Sequence, residues 1–295
     1  MSLRCAAVFC VAVVLLTAEA KKPSPERLSI IPKVPGNQIA YTMTTGRYKT
    51  RWNGMADVAT TTSLLVTPDS NGDQLLIMFD TGMPHQEAEL RKALRNLGLR
   101  PKDVTHVVSS SSKLEHLANN GLFERAKQFI GSRSVHGKDV DPNAGPKSAS
   151  GRGRVRLADN AHVLALKGEW GGNVLVASKL EDWKDKTAVA VFVGDLVTDK
   201  DRFTDYLVKH RLSTSTAYLA YLADLKMVVC DEKADIIVPG HGASFRVTDR
   251  LKDLIGCALE KPEAPTDAVP KDAPVSDTND TKEPSAAPVS PQKSN

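Results

Sequence analysis

Four apolar stretches of this 295-residue chain each run into a turn that carries an acidic or imidazole side chain. They read "LLIMFDTG", "HVVSSSSKLEH", "AVFVGDLV" and "ADIIVPGHG", and they place Asp80, His116, Asp195 and His241 after predicted strands. A strand exit suits chemistry, because the sheet holds the loop rigidly while its side chains stay open to a ligand. The chain is therefore constrained to a sheet-based fold with candidate functional groups at the strand ends.

The rest of the chain alternates between predicted strands and helices. Residues 86–97 have apolar side chains at helical spacing, and Gly98 follows where a helix cap is expected. Further helices are predicted over 213–229 and 247–261, whereas the polar, glycine-rich residues 138–156 are expected to form a loop. This order of elements favours a layered α/β domain with mixed sheets.

The first twenty residues have the pattern of a secretory signal. "MSLR" supplies a basic start, "CAAVFCVAVVLLT" an apolar segment, and "AEA" a cleavage motif that ends at Ala20. The apolar segment is too short to span a bilayer, and no other stretch is a candidate transmembrane segment. We expect a secreted or secretory-pathway protein whose mature chain begins at Lys21, with an uncleaved anchor as the alternative.

Composition divides the remaining chain into three parts. Residues 21–36 are proline-rich and predict an extended arm, and residues 37–261 carry the strand and helix patterns of a folded domain. Residues 262–295 contain few large apolar side chains, so they cannot bury enough surface to offset the entropy of ordering, and a disordered tail is expected. The tail holds an Asn-Asp-Thr sequon at Asn279, which is a glycosylation candidate in a secreted protein.

Charge and cysteine content narrow the function only weakly. The net charge of +4, from 39 basic and 35 acidic residues, is too small to indicate a nucleic-acid partner. A basic stretch at 147–156 could contact phosphates, although a solvated loop is the preferred explanation. Cys230 and Cys257 remain after removal of the signal, and they either form a disulfide bond or stay as two buried thiols.

The four strand exits resemble the metallo-β-lactamase superfamily, over roughly residues 35 to 258. That superfamily carries a Thr-His-x-His-x-Asp-His loop after a strand, a histidine in a later turn, an aspartate in a Gly-Asp turn and a final histidine in Pro-Gly-His-Gly. Here "THVVSSSSKLEH", "KGEWGG", "VFVGDLV" and "VPGHG" stand in those places. The resemblance implies an αββα sandwich of two mixed β-sheets flanked by helices, and a hydrolase ancestry.

In this register the three histidines that hold the first metal ion in the family are replaced by Ser111, Lys113 and Trp170. Serine and tryptophan are not useful zinc ligands, and a lysine adds positive charge where a cation would bind. The second set is retained in a modified form. Its predicted ligands are Glu115, His116, Asp195 and His241. The resemblance therefore implies at most one zinc ion, or none.

Each of these residues also has a purely structural interpretation. His116 could begin a helix with Glu115 in its favourable first turn, and Asp195 could bond its own turn. His241 could be a satisfied loop histidine between two glycines. Asp80 is interpreted as a structural turn residue under either hypothesis. Their joint position at strand exits makes retained metal binding the alternative to these structural roles, which stay the preferred interpretation.

The first functional hypothesis is a catalytically weak or inactive hydrolase homologue, in which Glu115 would orient water if any activity is retained. The alternative is a mono-metal zinc hydrolase that acts on an ester or a phosphodiester such as RNA. A third class is a nucleic-acid-binding module that uses the basic loop. The partner is unknown, and a protein or small molecule is favoured over nucleic acid.

Overall fold

The computed structural model describes residues 39–146, 153–167, 172–181 and 187–257. Several sequence predictions fall outside these ranges: the signal segment 1–20, the arm 21–36, the tail 262–295, Trp170 and Asn279. No helix among the described residues is long and apolar enough to cross a membrane.

The described strands follow one another along most of the chain. They are β1 (Ile39–Thr44), β2 (Arg47–Thr50), β3 (Ala56–Ala59), β4 (Thr62–Pro68), β5 (Gln74–Phe79), β6 (His106–Ser109), β7 (Lys127–Ile130), β8 (Arg133–His136), β9 (Asp139–Asp141), β10 (Arg154–Ala158), β11 (Ala161–Ala165), β12 (Asn173–Glu181), β13 (Thr187–Gly194), β14 (Ile236–Pro239) and β15 (Phe245–Arg246). The helices are α1 (Glu87–Asn96), α2 (Leu114–Leu117), α3 (Lys200–His210), α4 (Thr216–Leu225) and α5 (Asp249–Ile255).

Two mixed sheets dominate the fold. The first has the order β1-β4-β5-β6-β7-β8-β9, and the second has the order β10-β11-β12-β13-β14-β15. In the first sheet β5, β6 and β7 are parallel, and in the second β13 and β14 are parallel, while the other neighbours are antiparallel. Strands β2 and β3 form a separate hairpin.

Three apolar layers hold these elements together. One lies between the sheets, where Phe79 of the first sheet meets Phe192 of the second with ring centroids 5.8 Å apart. Another packs α1 on the outer face of the first sheet, and a third packs α3, α4 and α5 on the outer face of the second. This arrangement of helix, sheet, sheet and helix confirms the predicted αββα sandwich of two mixed sheets.

Helix α1 shows why the sequence forms this layer. Leu90 and Leu94 are spaced by one helical turn, and both side chains are 0% exposed against the sheet. Complete burial of a leucine contributes roughly 1.5–3 kcal/mol. Gly98 has a φ of 76°, and its N–H donates to the carbonyl of Arg95 at 2.9 Å, so the helix ends there as predicted.

Two other segments differ from the sequence prediction. The helix expected over 213–229 is α4 followed by a π-helical turn, Lys226–Asp231, whose wider winding keeps Val228 and Val229 buried. The loop expected over 138–156 contains β9 and the start of β10, because β8 pairs with β9 and β11 pairs with β10 through backbone hydrogen bonds. Side-chain polarity therefore hid two edge strands.

A disulfide bond joins Cys230 to Cys257, whose Cα atoms are 5.5 Å apart. It connects the π-helical turn to the residue that follows α5 and its cap at Gly256. The bond ties together two helical elements that both pack on the outer face of the second sheet.

Candidate metal centre

The candidate site lies where parallel strands of both sheets end. In the first sheet β5 leads to Asp80 and its parallel neighbour β6 leads to Ser110. In the second, β13 leads to Asp195 and its parallel neighbour β14 leads to His241. Because parallel strands present their carboxyl ends at one edge, these exits meet at a common crevice.

His116, on the short helix α2, is oriented by the carboxylate of Asp80. The ring Nδ1 lies 2.8 Å from Asp80 Oδ2, and both side chains are 0% exposed. Ser110 donates its backbone N–H to Asp80 Oδ1 and its hydroxyl to Asp80 Oδ2, both at 2.7 Å. Asp80 holds a left-handed backbone conformation, with φ 56°. Such strain in a buried aspartate is tolerated where surrounding hydrogen bonds fix it.

His241 is oriented in the same manner by a backbone carbonyl. Its Nδ1 lies 2.9 Å from the oxygen of Ala59, and its backbone N–H donates to Thr198 at 2.7 Å. The preceding Gly240 packs so closely on Gly194 that an added Cβ would lie 2.8 Å from that backbone. The glycine is required for this approach, which sets where His241 leaves the strand.

The two oriented imidazoles turn their Nε2 atoms toward Asp195. His116 Nε2 lies 3.0 Å, and His241 Nε2 3.1 Å, from the same oxygen, Asp195 Oδ1. The ligand atoms of these three residues all lie within 4.8 Å of one another. The exposed fractions of the side chains are 0%, 3% and 9% for His116, His241 and Asp195.

This arrangement fits a metal ion. His116 Nε2 is fully buried and, among the described residues, has no partner in hydrogen-bond geometry despite its 3.0 Å approach to Asp195. An imidazole that donates Nδ1–H to a carboxylate or carbonyl presents Nε2 as a metal ligand, and both histidines do so. Ligand atoms that each lie ~2.0–2.1 Å from a tetrahedral metal ion are about 3.3 Å from one another. The two Nε2 atoms lie 3.0 and 3.1 Å from Asp195 Oδ1, which is close to that spacing.

The charges of the cluster are strongly coupled. Burial alone would lower the pKa of His116, but the negative charges of Asp80 and Asp195 outweigh it and raise that pKa to about 10. Burial alone would likewise raise the pKa of Asp195, but His116, His241 and Lys113 hold it far below its ordinary value. The pocket thus stabilises a positive charge beside two carboxylates. When no metal ion is bound, a proton on His116 supplies that charge.

Lys113 supplies a further positive charge to Asp195. Its Nζ lies 2.6 Å from Asp195 Oδ2, the oxygen that faces away from the two histidine contacts. The lysine side chain is 53% exposed and the aspartate 9% exposed. The two oxygens of one carboxylate therefore serve two different sets of partners.

Of the other predicted site residues that the structure describes, Glu115 and Ser111 lie outside the group of His116, Asp195 and His241. Glu115 is half-buried on α2, and the contact shown for it is its backbone carbonyl accepting from Thr60 Oγ1 at 2.5 Å. Its roles as ligand and water-orienting group remain predictions. Ser111 accepts from the backbone N–H of Lys113 at 3.2 Å, and Trp170 lies outside the described residues.

The β2–β3 hairpin borders the cluster. The Tyr48 ring meets the His241 ring edge-on, with centroids 5.7 Å apart. The guanidinium of Arg202 lies 5.0 Å from the centre of the Tyr48 ring and donates to the Tyr48 carbonyl at 2.8 Å. At the turn of the hairpin Trp52 is 99% exposed. The hairpin thus forms a partly aromatic wall next to His241.

Comparison with known proteins places this geometry in a wider context. No protein-family model matches the chain. Metallo-β-lactamase domain-containing protein 1 of Homo sapiens is 31% identical over 175 residues, which cover 58% of this chain and 59% of that protein. The protein of the same name from Xenopus laevis is 28% identical and is covered to 69%. The chain has a metallo-β-lactamase fold. The resemblance predicted from the motifs is thereby confirmed.

Solved structures show a weaker likeness. The metallo-β-lactamase SMB-1, solved with mercaptoacetic acid, is 18% identical over 69% of this chain and 79% of its own, with a TM-score of 0.42. The assignment of the metallo-β-lactamase fold therefore rests on the sheet order and the similar sequences. The chain spans 59% to 69% of the length of the two relatives named above, so their whole-protein properties do not transfer directly.

Within this metallo-β-lactamase fold, sequence reasoning missed two features of the centre. The sequence predicts Asp80 as a structural turn residue, and the structure shows that its carboxylate also orients His116. Its position directly after the most apolar of the early strands was the available signal. The contact between Lys113 and Asp195 joins residues 82 positions apart, and no local pattern in the sequence indicates it.

Proposed function

We propose that this protein is a secreted metallo-β-lactamase-fold protein that binds one zinc ion and has little or no hydrolase activity. The observation that carries the proposal is the convergence of two oriented imidazoles on Asp195 Oδ1. A bound ion would act as a Lewis acid held by His116, His241 and Asp195. Asp80 and the Ala59 carbonyl would keep the two rings in the ligating orientation.

Weak catalysis is proposed because the sequence replaces the histidines of the other half of the centre. In the family register, Ser111 and Lys113 replace two of the three histidines that hold the first metal ion. Lys113 directs an ammonium group at Asp195, and Ser111 bonds the local backbone. A single ion supplies less activation of water than a pair does, and small misplacements of reacting groups reduce rates by orders of magnitude.

Secretion is supported by two independent features. The first twenty residues follow the pattern of a signal peptide. The Cys230–Cys257 disulfide is typical of proteins that mature in an oxidising compartment. Expression of the full chain in a secretory cell line, followed by N-terminal sequencing of protein from the medium, tests the proposal. Retention in the cytosol with an intact N-terminus would contradict it.

Metal content tests the central claim. Purified protein that is loaded with zinc and desalted should retain about one equivalent, measured by mass spectrometry of the metal. His116→Ala and Asp195→Ala should lose it, and Asp103→Asn, on the surface, should not. Less than about 0.1 equivalent in the unaltered protein would argue against a tight site.

Hydrolysis assays separate weak from retained activity. Chromogenic esters and phosphodiesters are suitable probes, and we expect rates near the background of zinc in buffer. Zinc-dependent turnover that disappears in His116→Ala and Asp195→Ala would favour the alternative, a mono-metal hydrolase. The preserved orientation of both histidines is the observation in favour of that alternative.

Protein or small-molecule partners are proposed in preference to nucleic acid. Arg154 pairs with Glu232, and Arg156 pairs with Asp159, so both described arginines of the basic stretch are partly neutralised within the chain. A filter-binding titration with single-stranded RNA at two salt concentrations tests this preference. Tight, strongly salt-dependent binding would contradict it.

A further inference from the structure

Asp195 divides its two oxygens between different partners. Oδ1 lies 3.0 Å from His116 Nε2 and 3.1 Å from His241 Nε2, whereas Oδ2 lies 2.6 Å from Lys113 Nζ. The aspartate side chain is 9% exposed, so both of its oxygens need positively charged or hydrogen-bonding partners. One side of the carboxylate can therefore meet a metal ion while the other already meets an ammonium group.

The backbone fixes the lysine relative to the metal ligand. Lys113 is the N-cap of α2, and its carbonyl accepts the N–H of His116 at 3.1 Å. Its own N–H donates to Ser111 Oγ at 3.2 Å. The turn that positions His116 thus also directs the lysine side chain toward Asp195, from the side of the loop that precedes the helix.

The charge of Lys113 affects how many metal ions the centre can hold. Asp80 and Asp195 bring two carboxylates into a nearly closed pocket. One divalent ion and the Lys113 ammonium together provide three positive charges against them, so a second divalent ion would add a large repulsion. The lysine ammonium is a compact charge on a flexible side chain, and unlike a metal ion it needs no set of protein ligands to hold it.

We propose that the Lys113 ammonium is a tethered cation that occupies the Oδ2 side of Asp195, where a second metal ion would lie. We also propose that it weakens the affinity of the centre for the one zinc ion. This inference rests on the proposed zinc site. Lys113 is a positioning and charge-setting residue here, because it acts through Asp195. It makes the centre a pairing of one metal ion with one ammonium group.

The test compares zinc affinity and metal-free stability in four variants of the full chain. Lys113→Met removes the charge at similar length, Lys113→Arg keeps it, and Lys92→Met removes an exposed lysine on α1 as a matched control. Lys113→Gln repeats the comparison with a polar side chain if the Met variant does not fold. Zinc dissociation constants come from competition with a chromogenic chelator, and melting temperatures from circular dichroism with excess chelator.

We expect Lys113→Met to bind zinc roughly tenfold more tightly, because a unit charge near a divalent ion is removed in largely aqueous surroundings. Lys113→Arg and Lys92→Met should stay within about threefold of the unaltered protein. Equal affinities for Lys113→Met and the unaltered protein would overturn the inference, as would binding of two zinc equivalents by the unaltered protein.

Stability separates failure of this inference from failure of the zinc site itself. If no variant binds zinc, the proposed function is wrong. The melting temperature of the metal-free protein still measures whether the Lys113 charge stabilises the centre. A melting temperature roughly 2–4 °C lower in Lys113→Met, with none lost in Lys113→Arg, would support the tethered cation. No difference between the two would overturn it.

Discussion

The carboxylate of Asp80 gives the sharpest test of how the centre is built. Asp80→Asn keeps the size of the side chain, and asparagine tolerates the left-handed backbone at φ 56°, so the change removes the charge without altering the shape of the turn. One amide oxygen can still accept the Ser110 N–H. The amide NH₂, however, would replace the oxygen that faces Ser110 Oγ and His116 Nδ1, at 2.7 and 2.8 Å.

The structure sets the size of the expected effect. The imidazole of His116 loses a charged hydrogen-bond partner inside a 0% exposed pocket, which costs about 1.5–3 kcal/mol of the free energy of unfolding. Loss of a carboxylate that orients a ligating histidine typically lowers metal affinity by roughly 10- to 100-fold. Asp80→Asn should therefore weaken zinc binding by that factor.

Chelator competition measures the zinc affinity, and urea unfolding of the metal-free protein measures the stability. Asp103→Asn, in a surface ion pair with Arg100, is the control and should leave zinc affinity unchanged. If Asp80→Asn binds zinc within about threefold of the unaltered protein, the carboxylate does not orient His116 for a metal, and the assignment of the centre fails.

Three further predictions concern stability. Burial, with the charges of Lys127 and His136, lowers the pKa of His106 to about 4, so between pH 6.5 and 4 the unfolded chain binds a proton that the folded chain does not. The free energy of unfolding should fall by up to about 3 kcal/mol across that window, and an undiminished slope in His106→Asn would refute this. Removal of both Cys230 and Cys257 as serines should cost about 2–4 kcal/mol, seen as a lower urea midpoint; an unchanged midpoint would show that the bond constrains little. Gly194→Ala should destabilise by at least about 1 kcal/mol, because φ is 53° and its Cβ would overlap Ser110; native stability in that variant would contradict the described turn.

Much of the fold was predictable because its signals are local. The apolar run before Asp80 and the helical spacing that ends at Gly98 each arise within a dozen residues, and both elements form as expected. Edge strands are different, since β9 (Asp139–Asp141) is exposed and polar. Its strand conformation depends on hydrogen bonds to β8, and a neighbouring strand contributes nothing to the local side-chain pattern.

The site was predictable in its residue types and less so in its connections. The family resemblance implies His116, Asp195 and His241 as ligands, and the structure brings their ligand atoms within 4.8 Å of one another. The contacts that orient them come from elsewhere in the chain. Ala59, at the end of the β2–β3 hairpin, reaches His241 only through tertiary packing, and Lys113, in the loop after β6 of the first sheet, reaches Asp195 after β13 of the second. Sequence patterns report periodicity along a chain, so they cannot specify such tertiary partners.

The contact between the β2–β3 hairpin and His241 has a consequence for the order in which the molecule can assemble. Ala59 and His241 are 182 positions apart, and they come together only once both halves of the chain are docked. Closing so large a loop is slow and entropically unfavourable until the core contacts form. We therefore expect a competent centre to be one of the last features to form during folding. The proposed zinc binding would then require the fully folded chain. A molecule whose sheets have each formed but have not yet docked would not bind the ion.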